Sequence, residues 1–463
     1  GFHRYAVDEA WFVPHFEKML YDQAQIAVNC LEAKQATGDE RFAWLARDIF
    51  EYVRRDLTSP AGGFYTAEDA DSAPPEVARS DKGQVTSAKH GHNVEGAFYV
   101  WTAAELSAAL GDDVALVAAH FGVEENGNVT GRLDPQGEFR GKNILVQRRS
   151  LGETAKRCSL EPEQANDRLI AALEKLRAVR AQRPRPLLDD KIVTANNGLM
   201  ISALAKGAQA LVGGENEERE RYLQAATRAA EFVERELFDA TRGVLFRCWR
   251  EGRGANEGFA EDYAYFSQGL LDLYEASFDG RWLAWAAALQ ATMDVLFWDN
   301  AGGGYFNSAA NDASIVLRLK EDYDGAEPAP SSVAALNLLR LGAFFHDDAR
   351  RGRGGQCIEA FRAQWSRGPH GLPQMLCALE LALEAPRHVV LAGDPAADDF
   401  QALAAVLHER LGPRRTIVRA DPGLPWTAGM TPVGGRAAAY VCENFTCQLP
   451  VTDAAELRRH LGA

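Results

Sequence analysis

The sequence predicts a mainly α-helical fold: an (α/α)6 toroid, incomplete at its N-terminus, with a small α/β extension at its C-terminus. Three observations predict this class. A helix–turn–glycine–aromatic pattern occurs three times, apolar helices alternate with charged ones, and the hydrophobic period changes near residue 386. The 463 residues are 46% hydrophobic and 25% charged, as in a globular chain with a sizeable core. We therefore expect the toroid over 1–385 and the extension over 386–463.

The repeated pattern is an amphipathic helix that ends on Leu or Phe, then a polar turn, then glycine followed by large apolar residues. Its copies end at residues 62–65, 243–246 and 303–306. Glycine supplies the positive φ with which a chain leaves a helix or turn sharply, so the residues behind it can fold back onto the helix. An ordinary helix–loop explains one copy but not three, so the pattern indicates a repeat architecture.

Helices of two kinds alternate along the chain. Segments such as "LLDDKIVTANNGLMISALAKGAQAL" and "FAEDYAYFSQGLLDLYEASF" begin with acidic or amide residues and continue with many small residues. Small residues on several faces indicate a helix packed on more than one side, which predicts an inner position. Segments such as "DERFAWLARDIFEYVRRDL" carry charge along one face and predict outer helices. The polar starts of the inner helices should then collect at one end of the toroid.

Three regions depart from the repeat. The opening "GFHRYAVD" matches the glycine–aromatic loop but has no outer helix before it, so we expect an atypical capping repeat or, favoured by the missing Met, a fragment of a longer protein. Residues 66–150 form an insertion with a β-rich return through 97–101, which should carry function or cover the toroid mouth. From 386 onward, "PRHVVLAGDP", "RRTIVRAD" and "AAAYVCENF" predict strands separated by helices.

Charge and cysteine content limit the classes of protein. The net charge of −15 and pI of 5.3 argue against nucleic acid or an anionic membrane as a partner, and no apolar run is long enough to predict a membrane span. The seven cysteines are scattered and contain no C-x-x-C, which predicts a reduced, cytoplasmic protein without a disulfide framework. Cys442 and Cys447 form the only close pair, at which a metal or redox role is considered.

Several long motifs occur together in a recognisable order: "GFHRYAVDEAWFVPHFEKMLYDQA", "GGFYTAEDADS", "RPLLDDKIVTANNGLM", "DGAEPAPSSVAALNLLRL" and "YVCENFTCQLPVTD". Through them the chain resembles the spermatogenesis-associated, thioredoxin-domain-containing family (DUF255 type) over essentially its whole length. The resemblance implies a thioredoxin-like domain with a C-x-x-C, which this chain lacks. It also implies a six-hairpin barrel similar to the N-acylglucosamine 2-epimerases and the six-hairpin glycosidases, here without its first hairpin.

The predicted catalytic residues are His15, Glu17, Asp69 and Asp262. We expect a helix from Pro14 that places His15 on one face with Lys18 and Asp22. A His or carboxylate of tuned pKa can abstract a proton next to a carbonyl, whereas two carboxylates across a cleft can hydrolyse a glycosidic bond. The alternative is that these residues only cap helices and bind neighbouring loops.

Further polar and aromatic residues belong to the same loops and helix starts. Aromatic rings stack on apolar sugar faces, and carboxylates and amides bind hydroxyls, although the same rings could simply fill the mouth. No cofactor is predicted. The predicted substrate-binding residues are His3, Arg4, Tyr5, Trp11, Tyr21, Asp22, Glu68, Asp71, Trp101, Asp190, Lys191, Asn197, Glu261, Tyr263 and Glu327.

Metal binding has one sequence candidate, His90 and His92 with Glu95, whose spacing is ligand-like. It lacks further ligands, so no metal site is predicted.

Two hypotheses of function follow from the whole sequence. The first is a carbohydrate-active enzyme, epimerase/isomerase-like or glycoside-hydrolase-like, whose partner is a small carbohydrate. The second is a non-catalytic scaffold or redox-regulatory protein that works with a thioredoxin-like domain absent from this chain.

Overall fold

Helices account for most of the regular structure in the computed structural model. It describes residues 1–75, 93–129, 131–134, 137–211, 216–310, 315–383, 387–443 and 446–462. The α-helices are α1 (Leu20–Thr37), α2 (Glu40–Tyr52), α3 (Ala103–Leu110), α4 (Val114–Phe121), α5 (Leu151–Arg157), α6 (Pro162–Arg180), α7 (Thr194–Ala210), α8 (Asn216–Phe232), α9 (Ala260–Ser277), α10 (Gly280–Phe297), α11 (Pro330–Phe345), α12 (Asp348–Ala360), α13 (Arg362–Arg367), α14 (Pro373–Leu383), α15 (Asp398–His408) and α16 (Ala454–His460).

Strands are short except in the C-terminal region. They are β1 (Tyr5–Ala6), β2 (Pro14–His15), β3 (Lys18–Met19), β4 (Ala67–Glu68), β5 (Asp71–Ser72), β6 (Val94–Glu95), β7 (Leu188–Asp189), β8 (Ile192–Val193), β9 (Phe238–Asp239), β10 (Val244–Leu245), β11 (Cys248–Trp249), β12 (Arg387–Ala392), β13 (Arg415–Arg419), β14 (Ala438–Glu443) and β15 (Thr446–Cys447).

The chain divides into two compact units. The first contains Gly1, residues 20–66 and residues 190–463, and the second contains residues 2–19 and 67–189. The longer segment of the second unit begins where the predicted insertion begins but continues to 189 rather than to 150. The boundary predicted at 386 lies inside the first unit, because the C-terminal sheet packs on the helices that precede it.

In the first unit, α1, α7, α9 and α11 pack side by side, and each packs on the helix that follows it, namely α2, α8, α10 and α12. In α7 only Lys206 and Gln209 escape full burial, as the small-residue pattern predicted. The contact between α7 and α9 depends on Gly198 and Gly269, where an added Cβ would lie 2.5 Å from the facing backbone. This alternation of inner and outer helices confirms the predicted mainly α, toroid-class fold.

The glycine–aromatic loops fold back in all three copies. Thr58 bridges Phe64, Trp298 bridges Tyr305, and β9 pairs with β10. In each copy, a side chain near the start of the next inner helix accepts a backbone N–H from the returning strand. The three bonds are Phe64 N–H to Asn197 Oδ1 (2.8 Å), Leu245 N–H to Tyr263 Oη (2.9 Å) and Tyr305 N–H to Ser331 Oγ (3.0 Å).

The C-terminal region forms the α/β structure predicted from its period. Its four strands lie in the order β13–β12–β14–β15, with β12 parallel to β13 and antiparallel to β14. The prediction of a chain without disulfides is wrong at one place: Cys442 and Cys447 stand opposite each other on β14 and β15 and are disulfide-bonded. Register across a strand pair brings them together, which composition alone could not show.

The second unit corrects two sequence predictions. The helix expected from Pro14 begins only at Leu20, because Pro14–His15 pairs with β1 and Lys18–Met19 pairs with β4. His15, Lys18 and Asp22 therefore do not share a helix face. The β-rich return through 97–101 is mostly a hydrogen-bonded turn, in which only Trp101 forms a bridge, to Asn143. Helices α3 to α6 pack around Trp101 instead.

None of the helices in the described parts of the chain is both long enough and apolar enough to cross a membrane.

Candidate active site

Four carboxylates and one arginine lie close together in the first unit, and we call this group the acidic cluster. Asp22 and Glu261 lie in the first turns of α1 and α9, where the helix dipole favours a carboxylate. Arg247 lies between β10 and β11, and Glu321 and Glu327 lie in the segment before α11. Arg247 Nη1 contacts Glu261 Oε1 at 2.7 Å. Two of the carboxylates thus lie at the starts of inner helices, where the sequence predicts polar residues.

The segment that carries Glu327 is held by hydrogen bonds on both sides of that residue. Gln25 Nε2 donates to the carbonyl of Ala326 at 2.8 Å, and the Tyr265 hydroxyl donates to the carbonyl of Pro328. Asp324 Oδ1 accepts the N–H of Ala329 at 2.8 Å. Groups on α1 and α9 therefore fix the backbone around Glu327, which is the preorganisation that an acid–base group requires.

Burial and neighbouring acids change the ionisation of Glu327. Burial, the largest cause, raises the pKa of this carboxyl to about 7, with Glu261, Asp22 and Glu321 acting in the same direction and Arg247 opposing them. Burial and nearby carboxylates, Glu261 first, also raise the pKa of Glu321. A glutamate that titrates near neutral pH can both take up and release a proton under physiological conditions.

Asp262 has a different environment from its neighbour Glu261. Its side chain is 0% exposed. Oδ1 accepts the N–H of Ala195 at 3.0 Å, and Oδ2 accepts the N–H of Phe259 at 2.9 Å and Arg247 Nη1 at 3.2 Å. Burial raises its pKa to about 7. These contacts tie the start of α9 to the start of α7, and the predicted catalytic role of Asp262 stays a prediction.

Most other candidate residues in the first unit are buried or are bound to neighbouring parts of the fold. Asn197 and Tyr263 are 0% exposed and bind the returning strands, and Tyr21 is buried. Asp190 forms an ion pair with Arg250 at 2.6 Å. Lys191 is exposed, and its carbonyl accepts the Thr66 hydroxyl. Of the predicted binding residues in this unit, Asp22, Glu261 and Glu327 are the ones that the structure brings together.

The second unit holds its own group of acid–base residues, Arg4, His15, Glu17 and Glu95, which we call the histidine cluster. His15 Nδ1 lies 2.7 Å from Glu95 Oε1, and His15 Nε2 lies 3.5 Å from Glu17 Oε2. Arg4 Nη1 donates to Glu17 Oε2 at 3.1 Å. A carboxylate on one ring nitrogen orients a histidine for proton transfer at the other. His15 and Glu17, two of the four predicted catalytic residues, lie close together, and their catalytic role stays a prediction.

The strand pair β5–β6 brings another carboxylate towards this cluster. Asp71 stands opposite Glu95, and burial, followed by Asp69 and Glu95, raises its pKa while His15 opposes the change. Asp69 is exposed and accepts the N–H of Asp71 at 3.3 Å. The exposed Asp69 carboxylate therefore influences Asp71 electrostatically.

Two aromatic residues of this unit are open to solvent. Trp11 is 80% exposed and Tyr5 is 53% exposed. The Tyr5 ring lies 4.9 Å from the His15 ring, centre to centre. Trp11 has a φ of +54°, which is strained for a large side chain. Asp8 holds its loop, because the carboxylate accepts the N–H groups of Ala10, Phe12 and Val13. Both rings are available for stacking.

The remaining candidates of the second unit serve its interior. Glu68 is 2% exposed and pairs with Arg185, and Trp101 is 1% exposed beneath Arg183. Burial and Lys18 lower the pKa of His3 to about 3, while its bond to the Phe16 carbonyl opposes the change. His3 is therefore neutral, and its Nδ1–H donates to that carbonyl at 2.8 Å. Glu68, Trp101 and His3 are thus held by contacts inside the second unit.

Sequence reasoning missed Arg247 and Glu321, and it considered Glu95 only as a metal partner of His90 and His92. Arg247 follows the second glycine–aromatic loop directly, and that position was the available signal. Glu95 meets His15 across 80 residues of sequence, so no local pattern could join them. His90 and His92 lie outside the described residues, and within the described ranges no group of three or more His, Cys, Asp or Glu could hold a metal ion.

The fold and site together define a mainly α protein of the (α/α) toroid class, with acidic groups at the starts of its inner helices. No protein-family model matches the chain. It is 42% identical over 488 residues to spermatogenesis-associated protein 20 of Homo sapiens and 33% identical over 477 residues to an uncharacterised protein of Caenorhabditis elegans. The alignments cover 100% and 99% of this chain but 60% and 63% of those relatives.

Two solved structures align with parts of the chain at low similarity. The cellobiose 2-epimerase of Spirochaeta thermophila superposes with a TM-score of 0.43 at 10% identity, over 79% of this chain and 64% of that one. A D-mannose isomerase superposes with a TM-score of 0.37 at 13% identity, over 78% of this chain and 80% of that one. Proteins this distant often differ in activity, so function must come from the residues of the site.

Proposed function

We propose that the chain is a sugar epimerase or isomerase that moves a proton at C2, next to the carbonyl of an open-chain reducing sugar, with Glu327 as the proton-transfer group. The observation that carries this proposal is the half-buried Glu327 carboxyl beside the Glu261–Arg247 ion pair, on a segment held by α1 and α9. The carbohydrate class comes from the resemblance of the sequence motifs.

The chemistry needs a base and a cation in one place. Glu327 removes the proton from C2, and the electron pair of the C–H bond passes into an enediolate. Arg247 stabilises the negative charge that develops on the carbonyl oxygen. The isomer forms when Glu327 returns the proton to C1 while the proton of the O2 hydroxyl moves to O1. The epimer forms when a second acid protonates C2 from the opposite face, and Glu321, whose pKa is also raised, is the carboxyl of the cluster assigned to that step. No oxidant or reductant is consumed in either reaction.

Glycoside hydrolysis is the closest alternative, since Glu261 and Glu327 could act as a pair of carboxylic groups. The Arg247 contact distinguishes the two reactions. A guanidinium 2.7 Å from Glu261 neutralises the carboxylate that would have to attack or activate water. The same guanidinium is useful where an oxyanion forms. Proton transfer at C2 therefore suits Glu327 and Arg247, with Glu261 holding the guanidinium in place, better than hydrolysis does.

The experiment follows deuterium incorporation by NMR. The 463-residue chain is incubated in D₂O with a panel of reducing mono- and disaccharides. We expect deuterium at C2 of at least one sugar, with a rate at least ~100-fold lower in Glu327→Gln, the range typical for loss of a general acid–base group. Glu359→Gln, which changes an exposed glutamate of α12, is the matched control and should behave as the parent.

Three outcomes would contradict the proposal. Release of free sugar from glycosides without deuterium at C2 would identify a hydrolase. Loss of exchange in His15→Asn, but not in Glu327→Gln, would move the chemistry to the histidine cluster. Absence of both reactions across the panel would favour the non-catalytic scaffold that works with a thioredoxin-like domain.

A further inference from the structure

A cavity lies in the first unit between α2 and α8, apart from the acidic cluster. It has a volume of about 180 Å³, and none of the residues of the acidic cluster lines it. The floor is apolar and largely buried. The floor residues are Phe50, Val53, Phe64, Leu204 and Tyr222.

The size of this cavity suits a small organic group. An apolar cavity of roughly 150 Å³ accommodates benzene, so the space here holds one aromatic ring or a short branched chain. Ala225 also lines the cavity, and its small side chain leaves that space open. The apolar floor alone would favour an uncharged hydrocarbon group.

The rim of the cavity is positively charged, although the protein as a whole is negative. Part of the rim consists of two arginine–glutamate pairs. Arg47 is bound to Glu218 by bonds of 2.8 and 3.0 Å, and Arg54 is bound to Glu51 by bonds of 2.9 and 2.7 Å. These two pairs are neutral overall.

Two further arginines, Arg221 and Arg228, line the same cavity. In the described part of the chain, neither arginine forms an ion pair with a carboxylate, and the guanidinium of Arg228 donates no hydrogen bond. With Arg47 and Arg54 balanced by Glu51 and Glu218, the lining has a net charge of +2, in a chain whose net charge is −15. Arginine binds carboxylate and phosphate groups through two parallel N–H donors.

We propose that this cavity binds a small organic anion, in which an aromatic ring or short apolar chain carries a carboxylate or phosphate group. The apolar part occupies the floor, and Arg221 and Arg228 bind the anionic group at the rim. The site is independent of the acidic cluster, so binding here does not depend on the proposed sugar chemistry.

Calorimetric titration of the 463-residue chain tests the proposal with four probes: benzoate, phenyl phosphate, inorganic phosphate and benzyl alcohol. We expect saturable binding of benzoate or phenyl phosphate. The double variant Arg221→Gln, Arg228→Gln should weaken that binding at least ~10-fold, because two charge-assisted contacts are lost. Arg235→Gln removes an exposed arginine that does not line the cavity and should leave binding unchanged.

A second variant tests the floor without changing charge. Ala225→Leu fills part of the cavity and should weaken binding of the aromatic anions, while Glu327→Gln should not. Circular dichroism and the melting temperature establish that each variant is folded. The proposal is overturned if no aromatic anion binds saturably, if inorganic phosphate or benzyl alcohol binds as tightly as phenyl phosphate, or if the double arginine variant binds the aromatic anions like the parent.

Discussion

Glu327 and Asp262 show how the same functional group, a carboxyl, can serve two purposes in the first unit. Both carboxyls have a pKa raised to about 7, with burial as the main cause. Asp262 is completely buried and accepts three hydrogen bonds, whereas Glu327 is half-buried and lies on a segment held through its neighbours. Accessibility of the carboxyl, rather than its pKa, separates the proposed proton carrier from the structural residue.

The raised pKa of Glu327 predicts a dependence of stability on pH. Its folded-state pKa lies above the unfolded value, so the folded chain holds the extra proton between about pH 4.5 and 7. The free energy of unfolding should therefore fall as the pH rises through this range. Glutamine at position 327 cannot ionise, so the Glu327→Gln variant should not show this decrease in the free energy of unfolding. It should be more stable than the parent by roughly 1–3 kcal/mol at pH 8, with little difference at pH 4.5.

Urea unfolding of the parent and Glu327→Gln at both pH values measures this effect. Asp262 titrates over the same range in both proteins, so the difference between them isolates Glu327. An equal difference at both pH values would show that Glu327 does not change ionisation in this range.

Asn197 provides a second prediction about a single residue. Its Nδ2 donates to the carbonyls of Phe64 (3.0 Å) and Val193 (2.9 Å), and its Oδ1 accepts the N–H of Phe64. Asn197→Ala should lower the free energy of unfolding by about 2–4 kcal/mol, because buried backbone groups lose their partners. Asn256→Ala, at an exposed position, is the control. Parent-like stability combined with loss of sugar exchange would instead assign Asn197 to substrate binding.

At the level of the helices, ion pairs connect the inner helices to one another. These pairs lie well beyond the first turns of the helices. Arg340 of α11 contacts Asp272 at 2.7 Å and Glu275 at 3.0 Å, both on α9. Asp272 also accepts the Ser202 hydroxyl of α7 at 2.5 Å, and Lys206 of α7 contacts Glu32 of α1 at 3.0 Å. The network links four successive inner helices. Contacts between small residues alone would not fix the position of one helix along the next, and these polar contacts do.

Breaking this network at its central cation should be costly. Arg340→Met leaves Asp272 and Glu275 buried without that partner, and we expect a loss of about 3–5 kcal/mol in the free energy of unfolding. Arg340→Lys keeps the charge and should lose less. Denaturant unfolding of both variants tests the expectation, and equal losses would mean that packing of the side chain matters more than its charge.

The disulfide between β14 and β15 supports a second prediction at this scale. Cys442 and Cys447 are separated by five positions, so the bond closes a short loop and should contribute only about 2 kcal/mol. Cys447→Ser should lower the free energy of unfolding by that amount, and a reducing agent should destabilise the parent to match. Cys377→Ser, which changes an exposed free cysteine, is the control. Parent-like stability of Cys447→Ser under oxidising conditions would contradict the expectation.

At the scale of the whole molecule, charge limits the possible partners. The net charge of −15 repels nucleic acid and anionic lipid, which bind through an excess of Lys and Arg. We expect no saturable binding of duplex DNA or of phosphatidylserine vesicles at about 0.15 M salt, measured by anisotropy and sedimentation. Binding that weakens steeply with salt would contradict this expectation and would point to the arginine-rimmed cavity.

Much of the architecture was predictable because it depends on local pattern. The small-residue segments became the inner helices, the charged segments became outer helices, and the short apolar runs after 386 became the strands β12, β13 and β14. Helical and strand periods are properties of neighbouring residues, so a single sequence contains them. The glycine–aromatic loops were predictable for the same reason.

The site was predictable only in its residue types. Acidic residues at the starts of inner helices were expected, and Asp22, Glu261 and Glu327 do come together, but their arginine partner was not recognised. The helical class, the division into inner and outer helices and the acidic residues at the starts of α1 and α9 follow from periodicity and composition, which are local properties. Tertiary contacts, by contrast, are the reason that Pro14 and His15 form a strand, that His15 meets Glu95, and that Cys442 meets Cys447. Each of these outcomes depends on strand pairing or burial between segments that no local pattern connects.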